Sequence, residues 1–102
     1  MKVEQTKLNG VLKIKLDAFK DFRGYYIETF NENLYKKNGI DINFVQDDIS
    51  VSHKNVLRGI HGDQNTWKLI SCLEGEFHLV VINNDNKSDQ FKHWESFLLS
   101  EE

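Results

Sequence analysis

The chain has 102 residues, 13 of them basic and 16 acidic, for a net charge of −3, and it lacks proline. That length allows one domain at most, and Leu, Ile, Val and Phe together make 32 of the 102 residues, enough apolar content to exclude a disordered chain. The longest uninterrupted apolar run is Leu79–Ile82 and the longest basic run is Lys36-Lys37, which exclude a membrane-spanning helix and a nucleic-acid-binding face.

Met1-Lys2-Val3-Glu4-Gln5-Thr6 carries no apolar leader, and a single cysteine, Cys72, rules out an internal disulfide framework. A soluble, cytoplasmic protein is expected. Leu8, Leu12, Ile14 and Leu16 share one parity, with Lys13 and Lys15 on the other, which predicts a half-exposed strand. Asp17 to Gly24 reads as a loop with a turn at Arg23-Gly24, and Tyr25 to Phe30 as a short extended segment. One helix is predicted at Asn31–Asn38. Asn31 suits the N-cap, Glu32 the first turn, Lys36 and Lys37 the last turn, and Gly39 the position after it.

Strand signals follow. Ile42 to Ser52 alternates in places, and Val56-Leu57 leads into Arg58-Gly59-Ile60-His61. Lys68–Leu73 and Phe77–Ile82 are apolar runs joined by Glu74-Gly75-Glu76, which predicts a hairpin. Asn83 to Asn86 is a turn, and Phe91 to Leu99 is a last strand with Phe91, His93, Glu95, Phe97 and Leu99 on one parity. Many short strands with one small helix predict an all-β sandwich or barrel.

Two groups of residues suit chemistry. Eleven of the 13 basic residues are lysine, and the two arginines, Arg23 and Arg58, each precede a glycine. Arginine grips carboxylate or phosphate in a planar, bidentate way that lysine cannot. Arg58, His61 and Lys68 supply a cation, a base titrating near neutral pH and a second cation. That set suits removal of a proton beside a carbonyl, with the developing enolate held by the cations. A histidine at a loop edge is more often a surface or structural residue. His61, Asp63 and His78 offer a conceivable metal set, but their spacing matches no strong motif. His53 and His93 read as surface residues and Cys72 as a small buried hydrophobe.

Arg23, Tyr26 and Glu28 form the second group. An arginine, an aromatic ring and a carboxylate suit the phosphate, the base face and the base edge of a nucleotide. The bland alternative is a charged, aromatic edge strand. Gln46-Asp47-Asp48-Ile49-Ser50 puts polar residues within a strand region, as a ligand wall would.

In order, Asp21-x-Arg23-Gly24-x-x-x-Glu28-x-Phe30, Phe44-Val45-Gln46-Asp47-Asp48-x-Ser50-x-Ser52, Val56-Leu57-Arg58-Gly59-Ile60-His61, Lys68-Leu69 and Gly75-Glu76 resemble the dTDP-4-dehydrorhamnose 3,5-epimerases. Ile60-His61-Gly62-Asp63, the short loop to Lys68, and Gly75-Glu76-Phe77-His78 look more like the branch acting on GDP-linked heptoses. The resemblance implies a cupin-like β jelly roll that works as a homodimer on a nucleotide-diphosphate 4-keto sugar, without metal or organic cofactor. It implies that His61 removes protons from C3 or C5, on either side of the C4 ketone. Arg58 and Lys68 match residues around the sugar and enolate. Arg23, Tyr26, Glu28, Gln46 and Asp48 match nucleotide-side positions.

Three positions depart from the family pattern. Tyr26 replaces a phenylalanine and keeps a stacking ring. Asp48 replaces an asparagine and adds a charge near an anionic ligand. Leu79 stands where many relatives have a polar residue. The family's second histidine, tyrosine acid and base-orienting carboxylate find no match. The chain therefore resembles the N-terminal half of the jelly roll, a single partial domain over 1–102. Alone, it is expected to expose apolar sheet surface or to cover it by self-association, and to turn over weakly. A non-catalytic module that binds a sugar nucleotide or dimerises, and a related sugar ketoisomerase, are the alternatives.

Overall fold

In the computed structural model, which describes residues 1–102, alternation builds the first hairpin. β1 (Lys2–Gln5) pairs antiparallel with β2 (Leu12–Lys15), Val3 opposite Ile14 and Gln5 opposite Leu12. Leu12, Ile14 and Leu16 are half-buried while Lys13 and Lys15 are exposed, as a period of two demands. The connecting loop is tied by Thr6, whose hydroxyl donates to the Val11 carbonyl at 2.7 Å and accepts from the Leu8 N–H at 3.2 Å. Leu8 is thereby buried, 3% exposed.

The second hairpin corrects the reading of Asp17 to Gly24 as a loop. β3 (Ala18–Asp21) and β4 (Gly24–Ile27) pair across the two-residue connection Phe22-Arg23. Phe19 lies opposite Tyr26 and Ala18 opposite Ile27, apolar cross-strand pairs that favour a ladder over a loop.

The helix forms as its end signals predict. α1 (Glu32–Lys37) is capped by Asn31, whose Oδ1 accepts from the Leu34 N–H at 3.0 Å. Glu32 and Lys36 pair one turn apart at 3.1 Å. Tyr35 anchors the helix. Its ring meets Phe30 edge-on at 4.9 Å, and its hydroxyl donates to the Thr29 carbonyl at 3.0 Å. Burial raises its phenol above the usual tyrosine value.

β5 (Glu76–Ile82) and β6 (Trp94–Ser100) make the longest ladder. This corrects the hairpin predicted between Lys68–Leu73 and Phe77–Ile82. The partner is β6 because its alternation matches: Phe77 faces Leu99, and Leu79 faces Phe97. Gly75 ends the ladder, accepting from the Glu101 N–H at 3.1 Å and donating to the Glu101 carboxylate at 2.7 Å. The first hairpin is clipped to this arm by two side chains. Glu95 accepts from the Lys7 N–H at 3.1 Å, and Gln90 bridges the Asn9 N–H and the Lys7 carbonyl at 2.8 and 2.9 Å.

The sheets are three separate two-stranded ribbons. Residues 38–75 carry no strand, which corrects the strands predicted within 42–52, 56–61 and 68–73. A strand exists through its ladder, and no other strand pairs with this stretch before Gly75 at its end. From Val45 to Ile70 its apolar residues stand in the open: Leu57 is 93% exposed and Val45 86%. The total accessible surface is 9505 Å². A compact monomer of this mass exposes about 6,000 Å². The radius of gyration is 15.2 Å, against about 13 Å for a packed chain of this length. The expectation of uncovered apolar surface is met, and only Leu8 and Tyr35 are buried. No helix is long and apolar enough to cross a membrane.

Candidate functional site

The tight return from β3 to β4 holds Arg23. Its Nε and Nη2 lie 3.1 and 2.6 Å from Oδ2 of Asp21, and its N–H donates to Asp21 Oδ1 at 2.8 Å. The guanidinium holds the Asp21 carboxyl below the usual range, and the carboxylate raises Arg23 in return. Gly24 follows at φ +132°, backbone that a side chain rarely tolerates. Arg23, Tyr26, Phe19 and Tyr25 line an open cavity of about 300 Å³. Glu28 lines a second one, about 140 Å³, with Phe19, Leu16 and Leu34. The structure thus brings Arg23 and Tyr26 to one hollow and sets Glu28 in another, with Phe19 common to both.

Gln46 and Asp48 are brought together. Two residues apart on extended chain, they share a face, and Gln46 Nε2 donates to Asp48 Oδ2 at 3.0 Å. Both are exposed.

Arg58 is held differently from Arg23. Its Nε donates to the Ser52 hydroxyl at 2.8 Å and its Nη2 to the Val51 carbonyl at 3.0 Å. Both acceptors are neutral, so the charge of Arg58 stays uncompensated. Gly59 follows at φ +123°, and a Cβ placed on it would meet no atom closer than 4.0 Å. The demand for glycine is therefore conformational, not steric. In an unbroken strand Arg58 and His61, three apart, face opposite sides. Gly59 breaks that alternation.

His61 is exposed, and its ring makes no hydrogen bond within the chain. The loop to Lys68 is stapled by Asp63, which accepts from the Thr66 hydroxyl at 2.9 Å and the Asn65 N–H at 2.8 Å. The Thr66 bond first, then the Asn65 N–H, and more weakly the Lys68 charge, hold the Asp63 carboxyl below its usual range. Asp63 orders a loop, and no group of three or more histidine, cysteine or carboxylate side chains is arranged to hold a metal ion. His78 sits on β5 opposite Leu98, exposed and not packed. Cys72 is half-buried, its thiol 3.3 Å from the Gly75 carbonyl.

Sequence reasoning did not connect Ser52 with Arg58, whose Nε it accepts from. Ser52 reads as one more polar position in an alternating stretch, and nothing local ties it to an arginine six residues on. Asp21 carried a signal: an acid two residues before an arginine at a tight turn.

The family model described as dTDP-4-dehydrorhamnose 3,5-epimerase matches residues 5–102. The enzyme of that name from Methanothermobacter thermautotrophicus is 37% identical over 100 residues, covering 96% of this chain and 54% of the relative. Its Escherichia coli counterpart is 36% identical, covering 98% of this chain and 56% of that one. The chain therefore spans just over half the length of these relatives. Among solved structures, the Bacillus anthracis dTDP-4-dehydrorhamnose 3,5-epimerase with TDP and PPi bound superposes with a TM-score of 0.87 at 28% identity, covering 98% of this chain and 59% of that one. The Elizabethkingia anophelis enzyme gives 0.77 at 34% identity, covering 99% and 57%. The all-β, cupin-like architecture of these epimerases is the fold of this chain, and the chain belongs to the dTDP-4-dehydrorhamnose 3,5-epimerase family.

Proposed function

We propose that the chain carries the base-and-cation side of a site that epimerises a 4-keto-6-deoxy nucleotide sugar at C3 and C5. His61 is the base. Its imidazole takes the proton from the carbon beside the C4 ketone, and the electron pair of that C–H bond moves to the C4 oxygen as an enolate. Arg58 and Lys68 hold the negative charge as it develops. A proton delivered from solvent to the opposite face of the carbon restores the ketone with inverted configuration, and His61 gives its proton back to solvent. Proton removal and return balance, so the reaction needs no oxidant or reductant. Arg23 and Tyr26, around one hollow, take the diphosphate and the base, with Glu28, Gln46 and Asp48 on the nucleotide side. A cytoplasmic homodimer in surface-polysaccharide sugar synthesis is the setting of this reading.

The observation that carries it is the uncompensated Arg58, held by neutral acceptors three residues before His61. A cation kept free of carboxylates is available to an anionic ligand and a developing oxyanion. The test is deuterium incorporation from D2O at C3 and C5 of dTDP-4-keto-6-deoxyglucose. Exchange that vanishes in His61→Ala supports the reading; exchange unchanged by that substitution refutes it.

A second reading, binding without turnover, is favoured by the His61 ring, which lacks an orienting partner within the chain. It predicts TDP binding with no exchange at either carbon.

A further inference from the structure

Arg58 and Arg23 present the same geometry by different means. A guanidinium has five N–H donors: one on Nε and two on each Nη. In both arginines the Nε/Nη2 edge is taken by acceptors of this chain, Ser52 and Val51 for Arg58, Asp21 for Arg23. The Nη1 pair and the second Nη2 hydrogen remain, and these form the end-on fork suited to a bidentate anion. At Arg23 the edge is held by a full negative charge. At Arg58 it is held by a hydroxyl and a carbonyl, which fix orientation and leave the charge intact.

We propose that Ser52 is the positioning residue of Arg58 in the epimerase reaction, an inference that rests on the epimerase reading above. Ser52 touches no reacting atom. Its hydroxyl and the adjacent Val51 carbonyl, at 2.8 and 3.0 Å, clamp one edge of the guanidinium so that the other fork faces the sugar. Arg58 carries four rotatable side-chain bonds and is exposed, so without the clamp the fork samples many directions. The backbone carbonyl survives any side-chain change at 51, which makes Ser52 the point where the clamp is removable.

The test uses the protein as its host makes it, with Ser52→Ala, Ser52→Thr, Arg58→Lys and the double variant Ser52→Ala/Arg58→Lys. Two readouts are taken: the Arg58 Nε–H resonance, assigned by its loss in Arg58→Lys, and kcat with KM on the 4-keto sugar nucleotide. Ser52→Ala shifts or broadens the resonance and lowers kcat about tenfold, the size of one lost charge-assisted hydrogen bond, with KM little changed. Ser52→Thr, which keeps the hydroxyl, restores both. The double variant is no slower than Arg58→Lys alone, because a positioning residue has no effect once its client is gone. An unmoved resonance, an unchanged kcat in Ser52→Ala, or effects that multiply in the double variant would each overturn the proposal. A parent protein with no turnover defeats the epimerase reading itself, whereas an active parent with an unaffected Ser52→Ala variant defeats only the role of Ser52.

Discussion

The Arg23 guanidinium lies along the Asp21 carboxylate two residues before it, with Nη2 2.6 Å and Nε 3.1 Å from the same oxygen. The pair is local, formed across the turn that joins β3 to β4. It makes Arg23 a compensated cation, in contrast to Arg58, whose partners are neutral.

The first prediction concerns acid. The Asp21 carboxyl titrates below the ordinary value near 4 because Arg23 favours its charged form. A depressed carboxyl stabilises the fold above its unfolded value and loses that contribution as pH falls through the folded value. The β3–β4 hairpin therefore loosens only at acid pH. Following the Asp21 carboxyl carbon by NMR checks this: Arg23→Gln raises the midpoint toward the ordinary value, and a midpoint unmoved by that substitution contradicts the pairing.

A second prediction contrasts two glycines of the same loop region. Gly59 adopts φ +123°, whereas Gly62 has an ordinary backbone and open space around it. Gly59→Ala forces a side chain into disfavoured backbone at about 1–3 kcal/mol, and the segment between Arg58 and His61 rearranges. Deuterium exchange by the variant falls at least about tenfold, while Gly62→Ala stays near the parent. Equal rates in the two variants would contradict the role given to Gly59.

A third prediction tests the helix cap. Asn31→Ala removes the acceptor for the Leu34 N–H and costs about 1 kcal/mol. In a domain of this size the melting midpoint drops by about 4–8 °C. Asn31→Asp, another good cap, melts near the parent. Circular dichroism on heating reads both.

The cap was legible in the sequence for the same reason that it matters: every residue that ends α1 lies within nine positions. Alternation was legible too: Glu95, Phe97 and Leu99 turn inward as their parity required, whereas Phe91 to His93, read as the start of that strand, lie in the turn before β6 and His93 is exposed. Partner choice was not. Glu74-Gly75-Glu76 looks like a hairpin turn, yet Phe77 finds Leu99, because register is decided by matching apolar faces far apart in the chain. The stretch from Ile42 to Leu73 has the composition of strands without a neighbour to pair with. At the candidate site, the pairing of Gln46 with Asp48 follows from a spacing of two, whereas the hold of Ser52 on Arg58 depends on how the backbone doubles back between them.

A fourth prediction follows from the exposed, strand-free stretch. Leu57, Val45, Ile60, Val51 and Ile49 each stand exposed between residues 45 and 60. Apolar patches beyond a few hundred Å² drive association. The 102-residue chain on its own associates as its concentration rises, and Leu57→Lys with Ile60→Lys reduces that association. Sedimentation velocity measures it. A compact monomer at every concentration would contradict the exposed surface.

The central claim is that His61 removes the proton beside the C4 ketone. The most direct measurement is the rate of deuterium wash-in at C3 and C5 of dTDP-4-keto-6-deoxyglucose, for the protein as its host makes it and for its His61→Ala variant. A general base contributes about 10²–10⁴-fold, so exchange at both carbons is expected in the parent and a loss of that size in the variant. Exchange that proceeds at the parent rate without His61 would contradict it.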